Sequence, residues 1–327
     1  MPDLSTNYLG LKIRNPIVVG SSSLTSSVEG ILKCEESGAG AVSLKTLFEQ
    51  QIQAIAQDFE TDWQPGWHTE SYDLIHKYSE ESTIDTYLKL IRTVKKEISI
   101  PVFASLNCVT ESVWCDYARH IEQAGADAIE LNLFLMPDES HFTSASIEKK
   151  YLRICEAVTR CIHIPVAVKI GMHFTSLPAT LWEMSKTGIR GFILFNRFFQ
   201  VDIDVHERTL IAGYRFSAPS EYQNALRWIA VLYGRMAGDF IAATGIHDGE
   251  SVVKQLLAGA AGVQVCSTLF QNGFESITKM QQFLENWMSE HHFSTIDDFR
   301  GIIRDPESPR PRLLHQFQYI KAIVGID

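Results

Sequence analysis

The chain has 327 residues, 45% of them hydrophobic, and a formal net charge of −10 at pH 7. This acidic balance, without any basic run, argues against nucleic acid or an anionic membrane surface as a partner. No apolar stretch reaches the ~20 residues of a membrane-spanning helix, and the N-terminus lacks the features of a signal peptide, so we expect a cytoplasmic protein.

Eight continuous apolar runs alternate with helical patterns along the chain, after a short hairpin that 1–14 are predicted to form across the N-terminal face. Continuous hydrophobicity is typical of parallel strands buried on both faces. The sequence therefore predicts an α/β fold, one (βα)8 TIM barrel that spans 1–327 as a single domain. The predicted strands are 15–19, 41–44, 100–105, 128–132, 164–169, 191–195, 239–244 and 262–266.

Glycines and polar caps mark the predicted helix boundaries. Ser26–Glu29 has the pattern of a capping box before the first helix, and Asp248 is a predicted N-cap. Residues 46–82 are predicted to form a long loop after strand 2, of the kind that serves as a lid or a partner surface. An apolar stripe at Ile84, Tyr87, Leu88, Ile91 and Val94 predicts the helix that follows. The glycines that suit the left-handed end of a helix are Gly38, Gly125, Gly188 and Gly259.

Polar residues end the predicted strands, which is where barrel enzymes carry their chemistry. A lysine that ends a buried strand is costly unless an anionic or electron-rich group meets it, although snorkelling at the barrel rim is the alternative for both lysines. Asparagine offers a donor and an acceptor to an imide edge, or else caps its own strand. These strand-end residues are Gly20, Ser21, Lys45, Thr46, Asn107, Cys108, Asn132, Lys169, Asn196, Arg197, Thr244, Gly245, Cys266 and Ser267.

The last two strand ends predict a phosphate site. Thr244–Gly249 opens the seventh helix, and Cys266–Thr268 opens the turn after strand 8. Barrels commonly bind phosphate at these two loops, through backbone N–H groups and a short helix N-terminus. Together with the lysines, this pattern favours a phosphate-bearing cofactor.

These strand ends and loops resemble those of the class 1 dihydroorotate dehydrogenases, barrel enzymes that bind flavin mononucleotide (FMN) and act in pyrimidine biosynthesis. The resemblance extends over nearly the whole chain. Its specific marks are 38–42 leading to Lys45-Thr46, 130–133, 165–169, and Thr244-Gly245 followed by 257–260.

The resemblance implies a set of site residues and an assembly state. Gly20, Ser21, Lys45, Asn132, Lys169 and Asn196 would approach the flavin or a substrate stacked on it. Gly245, Cys266 and Ser267 would bind the FMN phosphate. The resemblance also implies a homodimer acting on a small dihydropyrimidine-like substrate, with fumarate as the electron acceptor.

The substrate half of the site departs from the family pattern. The family loop after strand 4 reads Asn-Leu-Ser-Cys-Pro-Asn, with the cysteine as the base, whereas this chain has Asn132-Leu133-Phe134-Leu135-Met136-Pro137. Leu135 cannot take a proton. The family's Asn-Met-Gly-Leu-Pro-Asn segment, which grips the substrate carboxylate, has no counterpart within 66–82.

Several residues are candidates for the missing groups. Cys108 and His173 are the candidate bases, and His141 is a third; a packed or solvent-facing side chain is the alternative for each. Arg197 stands where the family usually has serine and is suited to bidentate contact with a carboxylate.

Three hypotheses for the function follow. The first is an FMN-dependent dihydroorotate dehydrogenase-like enzyme with a changed base. The second is a dihydropyrimidine dehydrogenase-like enzyme that needs an iron–sulfur partner subunit, because this chain has six scattered cysteines, no Cys-x-x-Cys pair and no predicted metal site. The third is a flavin-binding scaffold that has lost catalysis.

Overall fold

Eight parallel strands close into a barrel, which confirms the predicted fold. The computed structural model describes residues 1–49, 69–107, 111–135, 142–197, 201–212 and 216–303, without the side chains of 69–82, 111–112, 201 and 212. The ring closes because the second barrel strand pairs with both the first and the third. The barrel strands are β3 Ile17–Val19, β4 Ala41–Ser43, β6 Val102–Asn107, β7 Ala128–Asn132, β8 Val166–Ile170, β9 Gly191–Leu194, β12 Asp239–Ala243 and β13 Gly262–Val265.

The predicted N-terminal hairpin is present and covers the amino ends of the barrel strands. It consists of β1 Thr6–Tyr8 and β2 Leu11–Ile13, which pair in antiparallel fashion. Tyr8, Leu9 and Ile13 are buried in one cluster with apolar side chains that point into the barrel. The Leu9 N–H also donates to Asp239 Oδ2 at 2.8 Å, which ties the hairpin to β12.

Helices follow the strands and form the outer layer. The predicted glycines Gly38, Gly125, Gly188 and Gly259 all have φ values in the left-handed region, and Asp248 caps its helix by accepting from Ser251 N–H at 2.8 Å. These predictions are confirmed. The helices are α1 Val28–Glu36, α2 Thr69–Glu97, α3 Glu111–Ala124, α4 Ser144–Cys161, α5 Leu177–Ser185, α6 Tyr222–Leu232, α7 Gly249–Ala258, α8 Ser267–Asn272 and α9 Glu275–Glu290.

Two local predictions need correction. The first helix is capped by Ser27, which accepts from Gly30 N–H at 3.2 Å, whereas the Ser26 hydroxyl donates to Ser23 O in the preceding turn. Helix α2 begins at Thr69, so the predicted loop 46–82 ends earlier than expected; its part at 50–68, with Trp63 and Trp67, lies outside the described residues. The predicted apolar stripe of α2 is confirmed, since Tyr87, Leu88, Ile91 and Val94 are buried.

Three short strands were not predicted. Strand β5 Leu47–Phe48 extends the line of β4 and pairs with the end of β6. Strands β10 Val201–Asp204 and β11 Thr209–Ala212 form an antiparallel hairpin between β9 and α6. Their Ile203 and Leu210 are exposed, so these residues lack the continuous burial that identified the barrel strands.

The barrel interior changes from apolar to polar along its axis. Toward the amino ends, the inward side chains include Val18, Phe103, Ile193 and Ile241. Farther along the strands, the buried inward side chains include Ser43, Ser105, Glu130, Asn132 and Gln264. Because a buried polar group needs partners, this gradient places the chemistry at the carboxyl ends. Among the helices that the structure describes, none has the length and apolar character to cross a membrane.

Candidate active site

A cavity of about 240 Å³ opens at the carboxyl ends of the barrel strands. Nine of the predicted strand-end residues line it, drawn from five strands. These are Gly20, Ser21, Lys169, Asn196, Arg197, Thr244, Gly245, Cys266 and Ser267.

Lys169 reaches this cavity from a buried ion pair. Its Nζ lies 3.3 Å from Glu130 Oε1, with only 13% of the lysine side chain and 2% of the glutamate exposed. Nζ also donates to Gln264 Oε1 at 2.9 Å. An ammonium has three protons to donate, so the hydrogen bond to Gln264 leaves donors for a ligand in the cavity.

Amide side chains on β6, β7 and the end of β9 form a chain beside Lys169. Asn107 Nδ2 donates to the backbone oxygen of Asn132 at 2.6 Å, and Asn196 Nδ2 donates to Asn132 Oδ1 at 2.9 Å. This arrangement fixes the orientation of the Asn132 amide. Asn107 and Asn132 do not line the cavity themselves but hold Asn196, which does.

A line of hydroxyl groups supports the opposite wall. Ser21 Oγ lies 2.9 Å from Thr46 Oγ1 and accepts from Thr46 N–H at 2.8 Å. Thr46 Oγ1 in turn lies 2.8 Å from Ser105 Oγ. Lys45, next to Thr46, is exposed and does not line the cavity. The structure thus brings one of the two predicted lysines to the cavity wall and leaves the other at the rim.

The predicted phosphate end is organised by a serine that the sequence did not reveal. Ser217 is buried, donates its N–H to Ser267 Oγ at 3.0 Å and accepts from Gly245 N–H at 3.3 Å. Its hydroxyl lies 3.1 Å from His247 Nε2. Burial lowers the pKa of His247, although contact with Ser217 opposes this shift. The two predicted phosphate loops therefore meet through Ser217.

Cys266 and Arg197 occupy contrasting settings on the same cavity. Burial raises the pKa of the Cys266 thiol, and the nearby Ser22 hydroxyl and Lys169 charge only partly offset this. Cys266 is thus a neutral lining group at pH 7. Arg197 Nε pairs with Glu221 Oε2 at 3.1 Å, so binding of a substrate carboxylate by Arg197 would compete with Glu221.

Of the three candidate bases, His173 lies within the described residues. Cys108 and His141 lie outside the described residues. His173 is exposed on the loop after β8. Leu135 is partly buried, packs against the apolar core, and its N–H donates to the Tyr151 hydroxyl at 3.1 Å.

Three side chains of the candidate site could not be found from the strand ends. Glu130 and Gln264 each lie two residues before a predicted site residue, so the two-residue period of a strand places them on the same inward face. That period was the available signal. Ser217 lies in the long connection between β9 and α6 and carried no such signal.

Comparisons with known proteins identify the family of this chain. A family model described as dihydroorotate dehydrogenase matches residues 3–288. The chain is 26% identical to the "Putative dihydroorotate dehydrogenase A (fumarate)" of Aeropyrum pernix, over 92% of this chain and 97% of that protein. It is 25% identical to the chloroplastic dihydropyrimidine dehydrogenase (NADP(+)) of Arabidopsis thaliana, over 92% of this chain and 76% of that protein.

A third relative is the catalytic subunit of dihydroorotate dehydrogenase B (NAD(+)) of Methanocaldococcus jannaschii, with 21% identity over 92% of this chain and 98% of that protein. The family match covers most of the chain. The chain therefore belongs to the dihydroorotate dehydrogenase family and is an oxidoreductase that acts on CH–CH groups.

Proposed function

We propose that this chain is an FMN-dependent oxidoreductase that acts on a dihydropyrimidine-like ring, with dihydroorotate as the first substrate to test. The observation that carries the proposal is the cavity at the strand ends, where Lys169 offers a largely buried, paired ammonium. FMN, when bound, would accept the hydride from the CH–CH bond. A cation near a flavin stabilises the negative charge of its reduced state.

The residues of the cavity fit such a cofactor. A Cβ atom built on Gly20 would lie 3.5 Å from Gln264 Oε1 and 3.6 Å from the Val265 oxygen, without a clash. Glycine is therefore not required by the protein at this point, but its missing side chain keeps the cavity open beside Lys169. At the other end, α8 begins at Ser267, and the first N–H groups of a helix have no partner within it, which suits a phosphate.

The residues of the candidate site have separate proposed roles. Gly245, Cys266 and Ser267 would hold the phosphate. Arg197 would contact a substrate anion, and Lys45, Asn132 and Asn196 would contact the flavin or the substrate. The supporting cofactor contacts would come from Gly20, Ser21, Thr46, Asn107, Lys169 and Thr244.

Oxidation of a CH–CH bond also requires a proton acceptor. Leu135 cannot take a proton, so we propose Cys108 or His173 as the base. Replacing each separately with serine and asparagine, respectively, distinguishes them. Loss of substrate-dependent flavin reduction in one variant, with retained FMN binding, identifies that residue.

The test of the proposed function starts from the purified protein. We expect a flavin absorbance spectrum, or uptake of added FMN with quenching of its fluorescence, followed by anaerobic bleaching with dihydroorotate or another dihydropyrimidine. A protein that neither carries nor takes up FMN contradicts the proposal. Fumarate is the first electron acceptor to test.

A second candidate is supported by the similarity to the dihydropyrimidine dehydrogenase of Arabidopsis thaliana. Such an enzyme would reduce a uracil-like ring with electrons from an iron–sulfur partner subunit. The leading proposal predicts a homodimer by light scattering and reduction by dihydroorotate alone. A co-purifying subunit and no reduction by dihydroorotate favour the second candidate.

A third candidate, a flavin-binding scaffold without catalysis, is favoured by Leu135. It predicts FMN binding but no bleaching by any dihydropyrimidine or reduced nicotinamide. The variant Leu135→Cys tests this directly, because it restores a thiol at that position. Dihydroorotate oxidation by the variant, but not by the original chain, would support the scaffold.

A further inference from the structure

Glu130 is a buried carboxylate in the middle of the barrel, below the cavity. It is 2% exposed. One of its oxygens, Oε2, accepts from Ser43 Oγ at 2.9 Å and from Gln264 Nε2 at 2.7 Å. Two neutral donors from β4 and β13 thus hold this oxygen.

The other oxygen of Glu130 depends on Lys169. Oε1 is buried and has no hydrogen bond within the described part of the chain, and the Lys169 ammonium lies 3.3 Å away. Gln264 bridges the two, because its amide nitrogen contacts the carboxylate and its oxygen accepts from Lys169 at 2.9 Å. Glu130, Gln264 and Lys169 therefore form a closed ring of contacts beneath the cavity.

Stability alone does not account for this ring. Burying an ion pair costs desolvation free energy, and apolar side chains of similar size often serve a fold equally well or better. The same barrel fills its amino-terminal half with apolar side chains such as Phe103 and Ile193. The ion pair lies in the half of the barrel that contains the cavity, and its lysine lines that cavity.

We infer that Glu130 is a positioning residue, which holds the Lys169 ammonium against the cavity and offsets its positive charge at the cofactor. This inference rests on the proposed FMN site. The Lys169 charge favours the reduced, more negative flavin, and the Glu130 charge opposes that preference. Glu130 thereby sets a lower flavin reduction potential than Lys169 alone would give.

The variant Glu130→Gln tests the inference, because it removes the charge and keeps the shape. We expect reduced FMN to bind at least about tenfold more tightly relative to oxidised FMN, which is a rise of about 30 mV in the midpoint potential of a two-electron couple. Ser43→Ala is the matched control, because it removes one hydrogen bond from the same carboxylate and leaves the charge. In this variant the ratio of the FMN dissociation constants of the oxidised and reduced states should change less than threefold.

Two results overturn the inference. One is an unchanged midpoint potential in Glu130→Gln, and the other is an equal shift in Ser43→Ala. If Glu130→Gln does not fold, Glu130→Asp replaces it, because the shorter side chain withdraws the charge from Lys169. The potential must then rise in the same direction by a smaller amount, and no rise overturns the inference.

A measurement without flavin separates this inference from the proposed function. Lys169→Met alone leaves the Glu130 carboxylate buried without its ion, whereas the double variant Lys169→Met/Glu130→Gln buries neither charge. We therefore expect the double variant to unfold at a higher urea concentration than Lys169→Met. If that coupling is present but the protein takes up no FMN, the proposed function fails and the ion pair stands. If FMN binds and the potential does not respond to Glu130, the inference fails and the proposed function stands.

Discussion

Asn196 Nδ2 donates to Asn132 Oδ1 at 2.9 Å, across the barrel strand that carries Lys169. The two amides thus come from the strands on either side of the one that carries Lys169. Because Asn132 is itself held by Asn107, the position of Asn196 on the cavity wall follows from residues at three strand ends.

The first prediction concerns this amide pair. Replacing Asn196 with alanine removes a cavity-lining amide that would hydrogen-bond to the flavin, so we expect FMN to bind more weakly by roughly 0.5–1.5 kcal/mol, the net contribution of one hydrogen bond. The measurement is the FMN dissociation constant from fluorescence quenching. Asn224→Ala, at an exposed position on α6, is the control and should bind FMN normally; equal affinities in the two variants would contradict the prediction.

The second prediction uses the open space at Gly20. Because a Cβ atom there meets only ordinary van der Waals contacts, Gly20→Ala should fold with little loss of stability. Gly20→Val adds two more methyl groups toward the cavity and should weaken FMN binding at least about tenfold, the effect of ~1.4 kcal/mol. Its thermal unfolding midpoint without FMN should stay close to that of Gly20→Ala. Unchanged FMN affinity in the valine variant would show that the cofactor does not occupy this wall.

The sequence predicted the barrel well because two local signals repeat in it. Continuous apolar runs indicated strands buried on both faces. Glycines at helix ends predicted the left-handed backbone that Gly38, Gly125, Gly188 and Gly259 adopt. Both signals depend on neighbouring residues in the chain. The β10–β11 hairpin was missed because its Ile203 and Leu210 remain exposed, so it carries neither signal.

Of the candidate site, the sequence predicted the residues at the strand ends but not their partners deeper in the barrel. The structure places nine of the predicted residues on the cavity wall, but the partners of Lys169 come from strands 39 positions earlier, at Glu130, and 95 positions later, at Gln264. Such pairing depends on barrel closure, which brings distant strands together. The exposure of Lys45 could not be predicted either, since Lys45 and Lys169 end their strands in the same way in the sequence.

The third prediction tests the glycines at helix ends. Gly259 has φ 115°, and a Cβ atom there would lie 2.2 Å from the Tyr233 ring, whereas at Gly125, with φ 97°, the nearest atom would be 4.0 Å away. Gly125→Ala should therefore cost only the left-handed backbone strain, about 1–2 kcal/mol. Gly259→Ala should cost about 1–3 kcal/mol more, because a packed ring must move.

Urea unfolding of the two variants measures both costs. The difference between their losses in free energy of unfolding gives the steric contribution of Tyr233, because left-handed backbone strain lowers the stability of both variants by a similar amount. Equal urea midpoints for the two variants would mean that the Tyr233 ring moves aside without cost. That result would contradict the prediction.

The last prediction follows from the lowered pKa of His247. Burial favours the neutral imidazole in the folded state, so the unfolded chain takes up the proton first as the pH falls below its ordinary pKa of about 6.5. The free energy of unfolding should therefore fall with decreasing pH from about 6.5 down to the folded pKa, and rise again on return to neutral pH. His247→Gln cannot take up this proton, and its stability should decline less between pH 7.5 and pH 5.

Other groups titrate in the same range in both proteins, so the quantity to compare is the difference between the two pH profiles from urea unfolding. Parallel profiles would show that His247 protonates equally well in the folded and unfolded chains, and that its contact with Ser217 compensates for its burial.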